Sequence, residues 1–124
     1  MDVDLIEKEL TGKIIGAAMT VLQELKPGLD EKLYEKALVI ELQRLGIKTD
    51  QQKQFPVHYR NEHIGTLIPD LVVENKVIIE TKVAENLNRA HEAQLLGYLT
   101  ITGMRIGLLL NFKDVKLRWK RLAK

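Results

Sequence analysis

The sequence predicts an α/β domain in which helices pack on a mixed sheet. Three observations carry that expectation. The first 45 residues keep a helical apolar period; residues 68–83 form two β-branched runs around a short polar turn; and a further helical stretch precedes a compact apolar run at 105–110.

Leu10, Ile14, Ala17, Ala18, Val21, Leu22 and Leu25 recur at helical spacing, and Pro27-Gly28 stops that helix. Asp30 can cap a second helix running to about Leu45, where Gly46 sits as the glycine expected past a helix end. Residues 47–66 alternate and contain Gln, Phe, Val, Tyr and Thr, which predicts short strands with a turn near Asn61-Glu62. The runs 68–73 and 77–83 are the clearest strands, and Glu74-Asn75-Lys76 joins them as a hairpin. A third helix is expected from about Asn88 to Gly103, with Leu87, His91, Gln94, Tyr98 and Ile101 along one stripe. The run 105–110 is short enough for a buried strand. From Lys113 on, Val115, Leu117 and Trp119 alternate with Lys116, Arg118 and Lys120, the pattern of an edge strand with one wet, basic face. The expected order is α-α-β-β-β-β-α-β-β.

A chain of 124 residues has the size of one domain, read here as 1–124. Its 19 basic and 17 acidic residues nearly cancel, which excludes a disordered polyelectrolyte. A net charge of +2 permits nucleic-acid binding without arguing for it, so any basic surface must be local. The absence of cysteine excludes disulfides and thiolate metal sites. The N-terminal MDVDLIEKEL is acidic and lacks the apolar stretch of a secretory signal, and no run approaches the ~20 apolar residues that span a bilayer. The expected compartment is the cytoplasm.

Chemistry concentrates in Ile68-Pro69-Asp70 and Ile79-Glu80-Thr81-Lys82. Two otherwise apolar strands carry acids where core residues belong. Burying a carboxylate costs several kcal/mol unless something pairs with it. Mg²⁺ or Mn²⁺, which favour hard oxygen ligands, would be such a partner. Glu80 and Lys82 share one sheet face by the period of two. The carboxylates would hold the metal while the lysine orients or helps deprotonate the attacking water. Asp70 joins that face if it pairs opposite Glu80, which leaves Glu74-Asn75-Lys76 as a three-residue loop. A regular two-residue loop would put Asp70 on the other face unless a bulge corrects it. A D-x(9)-E-x-K pattern is short, and acids beside a hairpin are often merely solvated.

Two further features bear on the same region. Gln94 and Tyr98 lie one turn apart and in line with His91, where they could hold a nucleic-acid backbone or steady the lysine; an amphipathic helix rim would look the same. Glu31, Tyr34, Glu35, Leu38, Leu42 and Leu45 form one stripe whose first turn carries two carboxylates on the core side. Complementing the helix dipole explains acids there, though not their face. His58 and His63 read as surface residues, and His91 as packed or solvent-facing.

Gly28-Leu29-Asp30-Glu31-Lys32-Leu33-Tyr34 resembles the motif that names the bacterial GxxExxY proteins, small members of the PD-(D/E)xK nuclease superfamily. Asp70-Leu71-Val72-Val73, Val77-Ile78-Ile79-Glu80-Thr81-Lys82, His91-Glu92-Ala93-Gln94-Leu95-Leu96-Gly97-Tyr98-Leu99 and Gly107-Leu108-Leu109-Leu110-Asn111-Phe112 resemble family blocks in family order, from about residue 10 to residue 122. The resemblance implies a restriction-endonuclease-like αβββαβ core, with a mixed sheet of about four strands flanked by helices. It implies metal-binding acids at Asp70 and Glu80, with the Thr81 carbonyl contributing, and a catalytic lysine at Lys82. Gln94 and Tyr98 resemble the Q-x-x-x-Y motif of the RecB and lambda-exonuclease-like branch. The first-helix acid maps to Glu31 or Glu35. Where the family often has an Arg-Ala-Asp type sequence, this chain has Ile68-Pro69-Asp70, which removes a phosphate-contacting arginine and keeps the superfamily's Pro-Asp signature.

The leading expectation is a Mg²⁺- or Mn²⁺-dependent phosphodiesterase acting on DNA or RNA. The basic tail, with Lys116, Arg118, Lys120 and Arg121, would add backbone contacts, or would simply protect an edge strand from aggregation. A chain this short has few elements to grip a substrate, so a homodimer mate or a protein partner would help. The alternatives are a non-catalytic nucleic-acid-binding or assembly module on the same fold, and a hydrolase of small phosphate esters, which would need a closed pocket.

Overall fold

The computed structural model describes residues 6–124. The first five residues of the acidic N-terminal stretch lie outside them. Helix α1 (Lys8–Leu25) and helix α2 (Glu31–Arg44) come first, followed by β1 (Thr49–Gln51), β2 (Phe55–Tyr59), β3 (Glu62–Leu67), β4 (Leu71–Val73) and β5 (Val77–Lys82). Helix α3 (Arg89–Thr102) then leads to β6 (Ile106–Asn111) and β7 (Arg118–Ala123). Five strands form one mixed sheet in the order β1-β4-β5-β6-β7, and β2 pairs only with β3 in a separate hairpin. The β5–β6 pair is parallel and the other pairs are antiparallel. Parallel neighbours need a long crossover, and α3 supplies it.

Alternation along β5 feeds two cores at once. Leu71, Val73, Val77, Ile79, Ile106, Leu108 and Leu110 join Ile14, Ala18, Leu22, Leu38 and Leu42 from α1 and α2. Ile78 and Leu109 meet Leu95 and Leu99 of α3 on the other face. Each of these buried Val, Leu and Ile side chains contributes about 1.5–3 kcal/mol. Gly107 lets α3 sit close: a Cβ there would lie 2.8 Å from the branched end of Leu95.

The hairpin between the two apolar runs has a three-residue loop. Val73 pairs with Val77, and Glu74 and Asn75 take positive φ of 53° and 55° in the turn. The 68–73 run pairs only from Leu71 on, which leaves Ile68, Pro69 and Asp70 outside regular strand.

Three expectations are corrected. The 47–66 region splits into β1, which joins the sheet edge, and the β2–β3 hairpin, which does not join it; its turn falls at Arg60-Asn61, with φ of 48° and 66°. In α3 the core-facing residues are Leu95 and Leu99, with Leu87 and Tyr98 beside them, while Ile101 is exposed. That face wins because it brings two leucines onto Ile78 and Leu109. The tail strand begins at Arg118 rather than near Lys113. Asn111 ends β6 by accepting the Ala84 and Lys113 N–H groups and donating to the Ala84 carbonyl, and the following segment buries Leu117 while Val115 stays 84% exposed.

Candidate functional site

The register β4–β5 carries Asp70 opposite Glu80, one step beyond the Leu71–Ile79 pair. Hydrogen bonds lock the two together. The Asp70 N–H donates to Glu80 Oε2 at 2.7 Å, and the Thr81 N–H and hydroxyl both donate to Asp70 Oδ2 at 2.9 Å. Glu80 is 5% exposed. Burial, then the charge of Asp70, pushes the Glu80 carboxyl up to about 7, against the Asp70 N–H and the Lys82 charge; Glu35 adds to the rise. Asp70 is also raised, first by burial and then by the charges of Glu35 and Glu31, with both Thr81 donors opposing. Neither carboxylate forms an ion pair among the described residues.

Lys82 follows on the Glu80 face, half-buried at the end of β5. The chain just past it is held from two sides. The Val83 N–H donates to Glu31 Oε1 at 3.0 Å, and the Phe112 N–H donates to the Lys82 carbonyl at 2.9 Å. The glycine, glutamate and tyrosine of the Gly28–Tyr34 segment thus all have local tasks. Gly28, at φ 111°, makes a turn between α1 and α2 that other residues rarely adopt. Glu31 ties α2 to the end of β5. Tyr34 donates to the Lys26 carbonyl at 2.6 Å, accepts the Leu29 N–H at 3.1 Å, and stacks on Phe112 with centroids 4.8 Å apart.

Glu35 is 2% exposed and lies near enough to raise both Asp70 and Glu80. Its Oε2 accepts Lys32 Nζ at 3.0 Å, Gln51 Nε2 at 2.6 Å and Gln52 Nε2 at 3.2 Å. The Gln52 N–H also donates to the Asp70 carbonyl at 3.0 Å from a left-handed backbone (φ 57°). Sequence reasoning missed both glutamines, because their partners lie 16 and 17 residues away and no local pattern marks them.

On α3, Gln94 donates to the Tyr98 hydroxyl at 3.3 Å. Burial, then the charges of Glu80 and Asp70, raises Tyr98, with Gln94 opposing. The hydroxyl therefore lies within electrostatic reach of the acid pair. His91 forms a capping box with Asn88 at the start of α3. In the tail, Arg118 pairs with Asp114 at 3.1 Å and Lys120 with Glu92 at 3.6 Å, while Arg121 donates to the Ile6 carbonyl and Lys116 is exposed. These four do not form one free basic face.

Asp70, Glu80 and the Thr81 carbonyl are the hard oxygen donors that Mg²⁺ or Mn²⁺ prefers, and the two carboxylates form no ion pair among the described residues. In that sense the donor set fits such an ion. Among the described residues, however, no three His, Cys, Asp or Glu side chains are gathered closely enough to hold one. A cleft of about 390 Å³ lined by Met19, Leu22, Val115 and Leu117 shares no residue with the acid pair. Among the described residues no helix is long and apolar enough to cross a membrane.

A sequence profile of the PD-(D/E)XK nuclease superfamily matches residues 8–122. Among solved structures, the chain is similar to one described as the crystal structure of SSO0001, at 12% identity and a TM-score of 0.49, covering 96% of this chain and 80% of that one. No curated protein matches the chain.

Proposed function

The chain belongs to the PD-(D/E)XK nuclease superfamily, and from that premise we propose that it is a Mg²⁺- or Mn²⁺-dependent nuclease hydrolysing phosphodiester bonds in DNA or RNA. The observation that carries this reading is the acid pair. Asp70 and Glu80 stand opposite each other, joined by a hydrogen bond; burial raises both, the charge of Asp70 adds to the rise at Glu80 and those of Glu35 and Glu31 to the rise at Asp70, and neither forms an ion pair among the described residues. Asp70, Glu80 and the Thr81 carbonyl would hold the metal, with Glu35 or Glu31 as the first-helix acid behind them. A bound divalent cation would neutralise these carboxylates and stabilise charge on the phosphoryl oxygens. Lys82, as an ammonium, orients the attacking water and stabilises the negative charge that develops as the water loses its proton. Tyr98, steadied by Gln94, offers a hydroxyl to the backbone of the substrate. Glu31 keeps Lys82 in place through the Val83 N–H. The Gly28, Glu31 and Tyr34 spacing supports a place among the GxxExxY proteins, and this reading puts the chain in the cytoplasm.

One observation favours a second reading, a nucleic-acid-binding module without catalysis. Glu35 spends its Oε2 on Lys32, Gln51 and Gln52, and no three acidic side chains are gathered around an ion site among the described residues. End-labelled single- and double-stranded DNA and RNA, incubated with wild type and Lys82→Ala in Mg²⁺, Mn²⁺ or EDTA, separate the two. The nuclease reading expects metal-dependent cleavage by wild type alone, with unchanged circular dichroism in the variant. Oligonucleotide binding with no cleavage under either metal would favour the module.

A further inference from the structure

The β2–β3 hairpin stands apart from both cores. No residue from 52 to 68 belongs to either one. Only Phe55, Val57, Gly65 and Leu67 are half-buried along its strands, and the other strand residues are exposed. Two strands alone are marginally stable in water, and strands of this length make an arm of roughly 17–20 Å. The pairing shifts between Val57 and His58, so Ile64 has no cross-strand partner and is 65% exposed. The base of the arm is fixed to the acid pair: β3 ends at Leu67, just before Asp70, and the Gln52 N–H that precedes β2 donates to the Asp70 carbonyl.

The charges on the arm are kept differently from most of those of the tail, where Lys116 is exposed without an ion pair among the described residues. Lys113, Arg118 and Lys120 are paired with Glu85, Asp114 and Glu92. Lys53 and Arg60 form no ion pair among the described residues and lie over aromatic rings instead. The Lys53 ammonium is 5.7 Å from the Phe55 centroid and also donates to Asn75; the Arg60 guanidinium is 5.5 Å from the Tyr59 centroid and donates to its hydroxyl. Tyr59 is 61% exposed at the tip. A phosphate backbone approaching Asp70, Glu80, Glu35 and Glu31 meets repulsion, so cations alongside must offset it. An exposed ring with an adjacent guanidinium can stack on an unpaired base and pair with its phosphate, whereas bases in a duplex already stack on one another.

We propose that the β2–β3 hairpin is an arm that binds single-stranded nucleic acid beside the acid pair, with Tyr59 stacking on a base and Arg60 and Lys53 meeting phosphates. The inference rests on the nuclease reading for the identity of that strand as substrate. The test is fluorescence anisotropy of labelled single-stranded DNA and RNA oligonucleotides in EDTA, with wild type, Tyr59→Phe and Tyr59→Ala/Arg60→Ala. Wild type and Tyr59→Phe are expected to bind alike, and the double variant about tenfold or more weaker, with affinity falling as salt rises. Equal binding by the double variant, or none by wild type, overturns the arm. A dimer on gel filtration that the double variant dissociates, with unchanged oligonucleotide binding, would give the arm to a second copy and overturn it too. Cleavage in Mg²⁺ is read separately. Binding lost only in the double variant, with no cleavage by wild type, overturns the nuclease reading and leaves the arm standing.

Discussion

Glu35 and Glu80 are both buried carboxylates, 2% and 5% exposed, and the protein treats them in opposite ways. Glu35 accepts three nitrogen donors on one oxygen, one of them the Lys32 ammonium. Glu80 accepts the Asp70 N–H and faces a second acid across the hairpin. Burial is therefore not what distinguishes the site. The distinction is direct ion pairing: the fold seats the Lys32 ammonium on Glu35, whereas Asp70 and Glu80 form no ion pair among the described residues and Lys82 opposes the rise of Glu80 only by its charge from beyond pairing distance.

Each way of disturbing that contrast has its own signature. The largest effect is on activity. Lys82→Ala removes the one cation two residues from Glu80 and should lower cleavage by roughly 10²–10⁴-fold, with the thermal midpoint nearly unchanged. Cleavage at the wild-type rate would contradict its role.

Next comes the pH dependence of stability. The folded protein holds a proton on Glu80 up to about 7, against 4.5 ordinarily, so between those values it binds a proton that the unfolded chain has released. Stability from this group is thus greatest below 4.5 and is lost as pH rises through about 7, by at most about 3 kcal/mol. Asp70, also raised, acts in the same direction. Metal-free wild type should melt at a lower temperature at pH 8 than at pH 5. Glu80→Gln should flatten that slope, and Asp70→Asn should stabilise the metal-free protein at pH 8 by relieving repulsion. A thermal midpoint that rises over this interval in wild type and falls in Glu80→Gln would contradict the assignment.

Gln51→Leu tests the other side of the contrast. Removing the 2.6 Å donor leaves the buried Glu35 oxygen with less support and should cost about 1–3 kcal/mol in urea denaturation. The smallest effect expected is that of Lys120→Ala. Its exposed pairing with Glu92 at 3.6 Å is worth about 0–1 kcal/mol. A larger loss of nucleic-acid binding there than in the arm variant would move the binding surface to the tail.

Local chemistry made much of this legible in advance. The helical period and the turn at Pro27-Gly28 mark α1 and α2, and the facing of Asp70 and Glu80 follows from loop length and the period of two. The parts that escaped depend on distant partners. Strand alternation in 47–66 looks the same whether a strand joins the central sheet or pairs with its neighbour in a free arm. Likewise, Gln51 and Gln52 become site residues only when α2 packs beside β1. The tail alternates from Lys113, yet the side chain of Asn111 catches the chain and delays the strand to Arg118. In α3, two stripes compete in the sequence, and the choice of Leu95 and Leu99 depends on what the sheet presents.

A metal site at the acid pair is tested most directly by a calorimetric titration of Mn²⁺ into metal-free wild type and the Asp70→Asn/Glu80→Gln double variant at pH 8. Saturable binding is expected in wild type, with an accompanying rise in thermal midpoint, and loss of both in the variant. The absence of binding in wild type, or equal binding in the two proteins, would contradict a metal site at the acid pair.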